Sequence, residues 1–537
     1  MSRKLTADDI FKQYQNCVDY NLHINLYDTV EENENFYIGK QWEGVNAPDL
    51  DKPVFNFLKR VVSYFISMIG SDDITINIEP FRDDEQLSVK AYCDYFTQEI
   101  YALMESQKIT SKFRQAVRDC AVDGDAAMYT YFDMDFETHQ LAKGRVFVEP
   151  IENTNILFGN PYTSDVQKQP YIIVQQRKFV DTLKKEAKAL YGLSEENINL
   201  IVADSDETKS NEDTSSKLVT VLYYFYKENG TINYMITTKN VVLKDDTDLE
   251  IRNYPISYFS WDTVKNSYHG QAVLTGMIPN QIYVNKLFAM CMLYTQRMGF
   301  PWTAFDRTTI GQLTNKIGQA FGTNPDIANR LIEFYKAPDF SNQILQLIDV
   351  VINLTRDFMG ANDAALGNVK PDNTSAIIAV QEASAIPLQM QKNVYNQFIE
   401  DTIRNMIDMM VVSYGEREVR MKDATGQYVY KTINFAELKD INYTLSINIG
   451  SSSPYDETAR LQTLSNLWDR QILQEARVFV EAIPEKLVPD KQEILNAIKQ
   501  REELQLVQQE AQMQMQQMQH LQEQANQLVA QQQAPIQ

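Results

Sequence analysis

The chain is 537 residues long, too many for one ordinary hydrophobic core, so roughly two to four structural units are expected. Apolar residues make up 44% and aromatics 11%, enough to bury a core over most of the length, which excludes a chain disordered throughout. A formal net charge of −22 excludes the broadly basic surface that grips nucleic acid along its phosphates, so any DNA contact is local, weak or non-adhesive.

From the N-terminus, residues 6–39 predict a helix capped by Thr6, with apolar positions at Ile10, Tyr14, Cys17 and Val18. A Gly/Pro loop follows to Pro53, then a helix over NFLKRVVSYFISMIG that Gly70 stops. ITINIEP alternates and predicts a strand ending at Pro80. Residues 84–122 predict helices with Tyr92, Phe96, Ile100 and Leu103 on one stripe, broken by Gly124. AAMYTYFDMD and RVFVEPI predict paired strands, and YIIVQQRKFV another strand leading into a helix to Leu190. Residues 203–217 are acidic and aperiodic and predict a mobile surface loop. Strands over LVTVLYYFYKE and INYMITT flank Asn229-Gly230, a strong hairpin signal. To about residue 260 the chain reads as α+β with antiparallel sheet.

At Gly270 the character changes. Residues 272–298 predict a long helix that is apolar nearly all round, through Ile282, Val284, Leu287, Phe288, Met290, Leu293 and Tyr294. Such a helix must be covered on every face, by its own core or by neighbouring subunits. A compact insert spans 300–340, and SNQILQLIDVVINLTRDFMG predicts a second helix to Gly360. A polar loop over 361–374 holds Gly367 and Pro371, and a long helix over 375–414 carries a kink at Pro387. Strands over REVRMKD, GQYVYKTI and YTLSINIG are expected to rejoin the N-terminal sheet, and residues 455–500 are helical. In the glutamine-rich segment 501–537, Leu504, Val507, Ala511, Gln514, Met518, Leu521, Ala525 and Leu528 repeat at 3,4,3,4,3,4,3, a heptad seam that favours association with copies of itself.

The chemistry-bearing patterns are sparse. The sequence holds no Walker A loop, G-x-G-x-x-G, H-E-x-x-H or G-x-S-x-G. Its four histidines, His23, His139, His269 and His520, are too scattered for an obvious metal cluster, so no cofactor or metal is expected. The acidic groups Asp123/Asp125, Asp133/Asp135, Asp204/Asp206/Glu207 and Asp245/Asp246/Asp248 sit in or beside turns, where aspartate serves local hydrogen bonding, and are read as solvated rather than as a two-metal site. Cys17, Cys93, Cys120 and Cys291 form no CxxC pair and read as reduced, buried thiols of a cytosolic protein. MSRKLTADDIFKQ lacks the apolar region of a signal peptide, and no run of about 18 apolar residues offers a membrane span. Residues 272–360 carry seven Lys/Arg against six Asp/Glu, a net charge of +1 in an acidic chain.

The stretches YHGQAVLTGMIPNQIYVNKLFA and DFMGANDAALGNVKPDNTSAIIAVQEASAIPLQ resemble tailed-bacteriophage portal proteins, the head-to-tail connectors. So do NFYIGKQW, KPVFNFLKRVVSYFISMIG, DGDAAMYTYFD and the glutamine-rich helical tail. The resemblance covers most of the chain and rests on the ordered set of segments. It implies an α+β portal fold: a wing over 1–260 and 415–455, stem helices over 261–299 and 342–360, a clip over 300–341, a tunnel loop over 361–374, a long kinked helix over 375–414, a crown over 456–500 and a barrel helix over 501–537. It further implies a non-enzymatic, dodecameric ring at one capsid vertex of the virion, assembled in the host cytoplasm. Double-stranded DNA would pass through it without sequence preference during packaging and ejection. Terminase, major capsid and scaffolding proteins, and head-completion or tail adaptor proteins would be its partners.

On this resemblance Asn362, Asp363, Asn368, Lys370, Asp372 and Asn373 are expected to face DNA in the tunnel loop, and Arg307, Lys316, Arg330 and Lys336 to serve terminase docking in the clip. Ile282, Leu287, Phe288 and Leu293 are expected to pack subunits in the stem, and Leu504, Val507, Ala511, Met518, Leu521, Ala525 and Leu528 to form the barrel seam. Two other readings stay open at this point: a scaffold or coiled-coil adaptor working through its tail, and a metal-dependent nuclease built on Asp123 and Asp125.

Overall fold

The computed structural model describes residues 5–48, 50–70, 73–80, 87–137, 143–204, 217–298, 302–305, 332–335, 342–361, 386–422, 428–435, 443–450, 454–470, 478–480, 483, 494–495, 497–498 and 501. The chain divides into two units, residues 1–449 and 450–537.

The first unit mixes helix and antiparallel sheet. Thr6 caps α1 (Ala7–His23) in a capping box: the Asp9 amide donates to Thr6 Oγ1 at 3.2 Å and the Thr6 amide to Asp9 Oδ2 at 3.3 Å. The single helix expected to Gly39 is two helices. Asn25 takes a left-handed φ of 57°, which asparagine tolerates, and α2 (Leu26–Ile38) starts anew and ends at Gly39 with φ 98°. The stripe Leu58, Val61, Phe65 and Ile69 buries α3 (Phe57–Gly70), and β1 (Asp73–Pro80) follows. Next come α4 (Leu87–Ser106) and α5 (Ile109–Asp123). Phe96, Ile100 and Leu103 of the expected stripe are buried in the main core and Tyr92 packs against it.

The central strands are β2 (Asp125–Asp133), β3 (Arg145–Ile151), β4 (Ile156–Phe158) and β5 (Tyr171–Phe179). After α6 (Val180–Ala189) and α7 (Glu195–Asn199) come β6 (Leu218–Glu228), β7 (Thr231–Thr237), β8 (Val242–Asp248) and β9 (Ile256–Ser260). They form two antiparallel sheets, ordered β3-β2-β9 and β4-β5-β6-β7-β8. The β6–β7 turn is the Asn229-Gly230 pair, with φ of 53° and 91°, the positive values a two-residue hairpin turn needs. Residues 205–216, most of the expected acidic loop, lie outside the described residues.

Beyond the sheets stand α8 (Ile278–Met298), the short strands β10 (Trp302–Phe305) and β11 (Ile332–Tyr335), and α9 (Asn342–Phe358). The helix expected from residue 272 starts at Ile278, after a 3-10 turn over Thr275–Met277, where Pro279 falls in the first helical turn and costs no hydrogen bond. Pro387 stands in a 3-10 turn, Ile386–Leu388, ahead of α10 (Gln389–Ser413); residues 375–385 of the expected long helix are outside the described set. α10 crosses β2 and β9, with Phe398 between Phe113 and Phe259 at ring distances of 6.1 and 5.8 Å. β12 (Glu416–Lys422) and β13 (Tyr428–Asn434) form a hairpin, and β14 (Tyr443–Gly450) pairs with β1. The C-terminal strands thus return to the N-terminal region, but as separate two-stranded sheets. In the second unit, α11 (Pro454–Asp469) places Trp468 4.9 Å from Phe479. No helix among the described residues is long and apolar enough to cross a membrane.

Candidate functional site

The hairpin of α8 and α9 leaves the sheets as a distinct helical layer. Its seam is Val284, Leu287 and Ile348, with Cys291, Ile344, Val351 and Ile352 packed around them. Asn280 Nδ2 donates to Thr355 Oγ1 at 3.1 Å near one end, so the helices run antiparallel. At the other end β10 and β11 pair in register, Trp302 opposite Tyr335 and Phe305 opposite Ile332. These two strands are the described part of the 300–340 insert.

Polar contacts fix the hairpin to the loop ahead of α3. Gln281 Nε2 donates to the Phe55 carbonyl at 2.8 Å and to Asn285 Oδ1 at 3.1 Å, and Asn285 Nδ2 donates to Gln41 Oε1 at 2.6 Å. Phe288 meets Phe55 at a ring distance of 4.1 Å. The chain of amides ties α8 to this loop, although Gln281 Oε1 is buried without a hydrogen-bond partner.

Both flanks of this hairpin carry exposed apolar residues, Leu345 and Met292 on one side and a longer stripe on the other. On α9, Leu347, Val350, Leu354 and Phe358 are spaced 3, 4 and 4 apart, one stripe of a helix, and all are exposed, Phe358 by 78%. On α8, Tyr283 and Met290 stand two turns apart and are also exposed, Met290 by 60%. Each stripe lies roughly a quarter turn from the seam. In an antiparallel pair this puts both on the same side, so they make one apolar face. A contiguous exposed apolar face of this kind is uncommon on a monomer and marks a surface that meets something.

The residues expected to pack subunits fall differently within the chain. Leu287 is in the hairpin seam, Phe288 stacks on Phe55, Ile282 packs against the main core and Leu293 is half-buried toward the distal end. The outward stripe of α9 was not singled out from sequence, although its 3-4-4 spacing is visible there. The tunnel-loop residues Asn362, Asp363, Asn368, Lys370, Asp372 and Asn373 lie outside the described residues. So do the clip residues Arg307, Lys316, Arg330 and Lys336, and the seam positions Leu504, Val507, Ala511, Met518, Leu521, Ala525 and Leu528.

Where the sheets meet the segment leading into α8, a buried polar cluster forms. His269 Nδ1 lies 2.7 Å from Asp125 Oδ2, and His269 Nε2 lies 3.2 Å from Asn21 Oδ1. Tyr258 donates its hydroxyl to Asp125 Oδ2, and the Gly270 amide reaches the same oxygen at 3.4 Å. Tyr268 donates to Asn21 Oδ1 at 3.3 Å. His269 is 3% exposed and Asp125 1%, so the reading of Asp123/Asp125 as a solvated turn pair fails for Asp125. Beside them Gly124 and Gly270 cross: a Cβ on Gly124, at φ 106°, would stand 2.5 Å from the Gly270 carbonyl oxygen. The cluster thus joins DGDAAMYTYFD to YHGQAVL, two segments far apart in sequence.

Of the other described acids, Asp133 and Asp248 accept local turn hydrogen bonds, from the Asp135 amide at 3.0 Å and the Glu250 amide at 2.8 Å, whereas Asp204 and Asp246 bond to residues distant in sequence. Asp204 Oδ2 accepts from the Thr220 amide and hydroxyl at 2.8 and 2.6 Å, and Asp246 accepts from Tyr226 at 2.8 Å. Asp123 stands apart: burial, and then the neighbouring Asp119 carboxylate, push its carboxyl up to about 8, opposed by Arg118. No group of three or more His, Cys, Asp or Glu placed to hold a metal ion occurs among the described residues. Cys17, Cys93 and Cys120 are buried, and none of the four cysteines is in a disulfide.

Compared with known families, residues 227–537 match the family described as Phage P22-like portal protein. No curated protein matches the chain. The matched region begins at the end of β6 and takes in the whole hairpin, both its helices and the strands between them.

Proposed function

The chain belongs to the P22-like phage portal protein family, and on that premise we propose that it assembles into a dodecameric ring at one capsid vertex, a channel for genome packaging and ejection. The observation that carries this reading is the apolar face of the α8–α9 hairpin, with Leu347, Val350, Leu354 and Phe358 open to water. A ring buries such a face on the next copy. Head-to-tail contacts that close on themselves generate rings, and each copy then covers a surface its neighbour exposes.

In this reading α8 and α9 are the stem, the strands β10 and β11 begin the clip, and the sheets with α1–α7 and α10 belong to the wing and its supporting helix. The loop over 361–374 lines the tunnel, residues 456–500 form the crown and 501–537 a barrel helix. Subunit packing in the stem is assigned to the outward stripes as well as to Leu293. Terminase, and later head-completion and tail proteins, dock on the clip, with Arg307, Lys316, Arg330 and Lys336 as the candidate contacts. Capsid and scaffolding proteins surround the wing. The role is structural and not enzymatic. The net charge of −22 suits a wall past which DNA slides, because 72 Asp and Glu outweigh 50 Lys and Arg and repel its phosphates.

Placing a charge in the face tests the reading. The double variant V350D/L354D changes two exposed positions, so the subunit is expected to fold with wild-type circular dichroism while sedimentation velocity shows its large assembly replaced by monomer. A folded variant that assembles as the wild type does would remove the stem face from the interface.

A further inference from the structure

We propose that successive copies in the ring meet flank to opposite flank along the α8–α9 hairpin, with Lys286 of one copy paired to Asp349 of the next. The contact rests on the ring assembly just proposed and specifies its register. Counted from the Asn280–Thr355 hydrogen bond at equal rise along two antiparallel helices, Lys286 stands level with Asp349, and Met290 with Leu345. The same count sets Val284 beside Val351 and Leu287 beside Ile348, and those four residues pack together in the seam. Lys286 precedes Met290 by one helical turn and so borders the open stripe of Tyr283 and Met290 on one flank. Asp349 follows Leu345 by one turn and borders it on the other flank. Lys286, Met290, Leu345 and Asp349 are all exposed. Each flank thus presents a charge and an apolar side chain at the same two levels, and the two charges are opposite in sign.

The hairpin's charges are sparse enough to be read singly. α8 carries Lys286 and Arg297 and no acid, and α9 carries Asp349, Arg356 and Asp357. Lys286 and Asp349 are the charges midway along their helices, and neither side chain is in an ion pair among the described residues. Rotation about a ring axis keeps every residue at its own height. With the hairpin running along that axis, each level of one flank therefore meets the same level of the neighbour's opposite flank. Lys286 then faces Asp349 and Met290 faces Leu345, charge against opposite charge and apolar against apolar. Such a match decides register and choice of partner more than strength of association. A two-fold contact through one flank alone would leave Asp349 outside the interface.

Oxidative cross-linking of the full-length protein tests the register. In K286C/D349C the two thiols stand on different helices and on opposite flanks of one copy, so a disulfide, which needs Cα atoms within roughly 7 Å, forms only between copies. Non-reducing electrophoresis is expected to show a ladder of multimers that reductant collapses. K286C alone, D349C alone and the wild type are expected to run as single subunits. Should K286C/D349C fail to assemble, the charge swap decides. K286D is expected to raise the concentration of half-assembly severalfold, and K286D/D349K to return it to the wild-type value. Rings of K286C/D349C in negative stain without the ladder overturn the register and leave the ring itself standing. So does a K286D that assembles as the wild type does, or one that the swap fails to correct. A disulfide dimer of K286C alone overturns it in favour of a two-fold contact. Wild-type protein that stays monomeric overturns the ring and this contact with it.

Discussion

Asp123 gives the residue scale its sharpest prediction. Its carboxyl is held up to about 8, by burial first and then by Asp119, whereas an unfolded aspartate titrates near 4. Between these values the folded chain keeps a proton that the unfolded chain gives up, so Asp123 lowers stability progressively as pH rises from about 4 to about 8. D123N removes that proton exchange. Its thermal midpoint is expected to exceed the wild type's at pH 8, with the gap closing toward pH 4; equal midpoints at both pH values would contradict the account. What a single residue reveals in sequence depends on how far away its partner is. Thr6 and Asp9 are three apart, and their capping box is legible as written. Asp125 and His269 are separated by 144 residues, so the acid looked like another solvated turn aspartate and the histidine like a stray.

At the scale of elements, periodicity predicted most helices and strands because each has one face to bury. The failures have local causes. Asn25 breaks the first helix by adopting a conformation that asparagine tolerates but does not require, and the start of α8 is set by a 3-10 turn that apolar spacing does not register. The apolar surround of α8 signalled burial without saying by what: part is taken by α9 and by Phe55, and part is left open at Tyr283 and Met290. The seam itself holds the hairpin together. Leu287→Ala would leave a cavity beside Val284 and Ile348 and cost roughly 2–5 kcal/mol, read as a lower denaturant midpoint in the unassembled subunit. A cost below about 0.5 kcal/mol, the range of ordinary surface positions, would mean that Leu287 does not sit in a packed seam.

For the whole molecule, family membership and the apolar hairpin face converge on a protein made to be assembled. The portal family was legible in the sequence, and the family match over residues 227–537 bears that out, while the quoted segments ahead of residue 227 lie outside the matched region. The surface proposed to join copies was less legible, because a stripe that is apolar and exposed looks the same in sequence as one that is apolar and buried. The acidic charge suits the proposed conduit better than a protein that grips DNA along its phosphates. Electron microscopy of the purified full-length protein in negative stain tests this most directly. Rings with a central hole, of uniform diameter when viewed end-on, are expected. A population of monomers or rods without rings, at concentrations where the protein is folded, would contradict it.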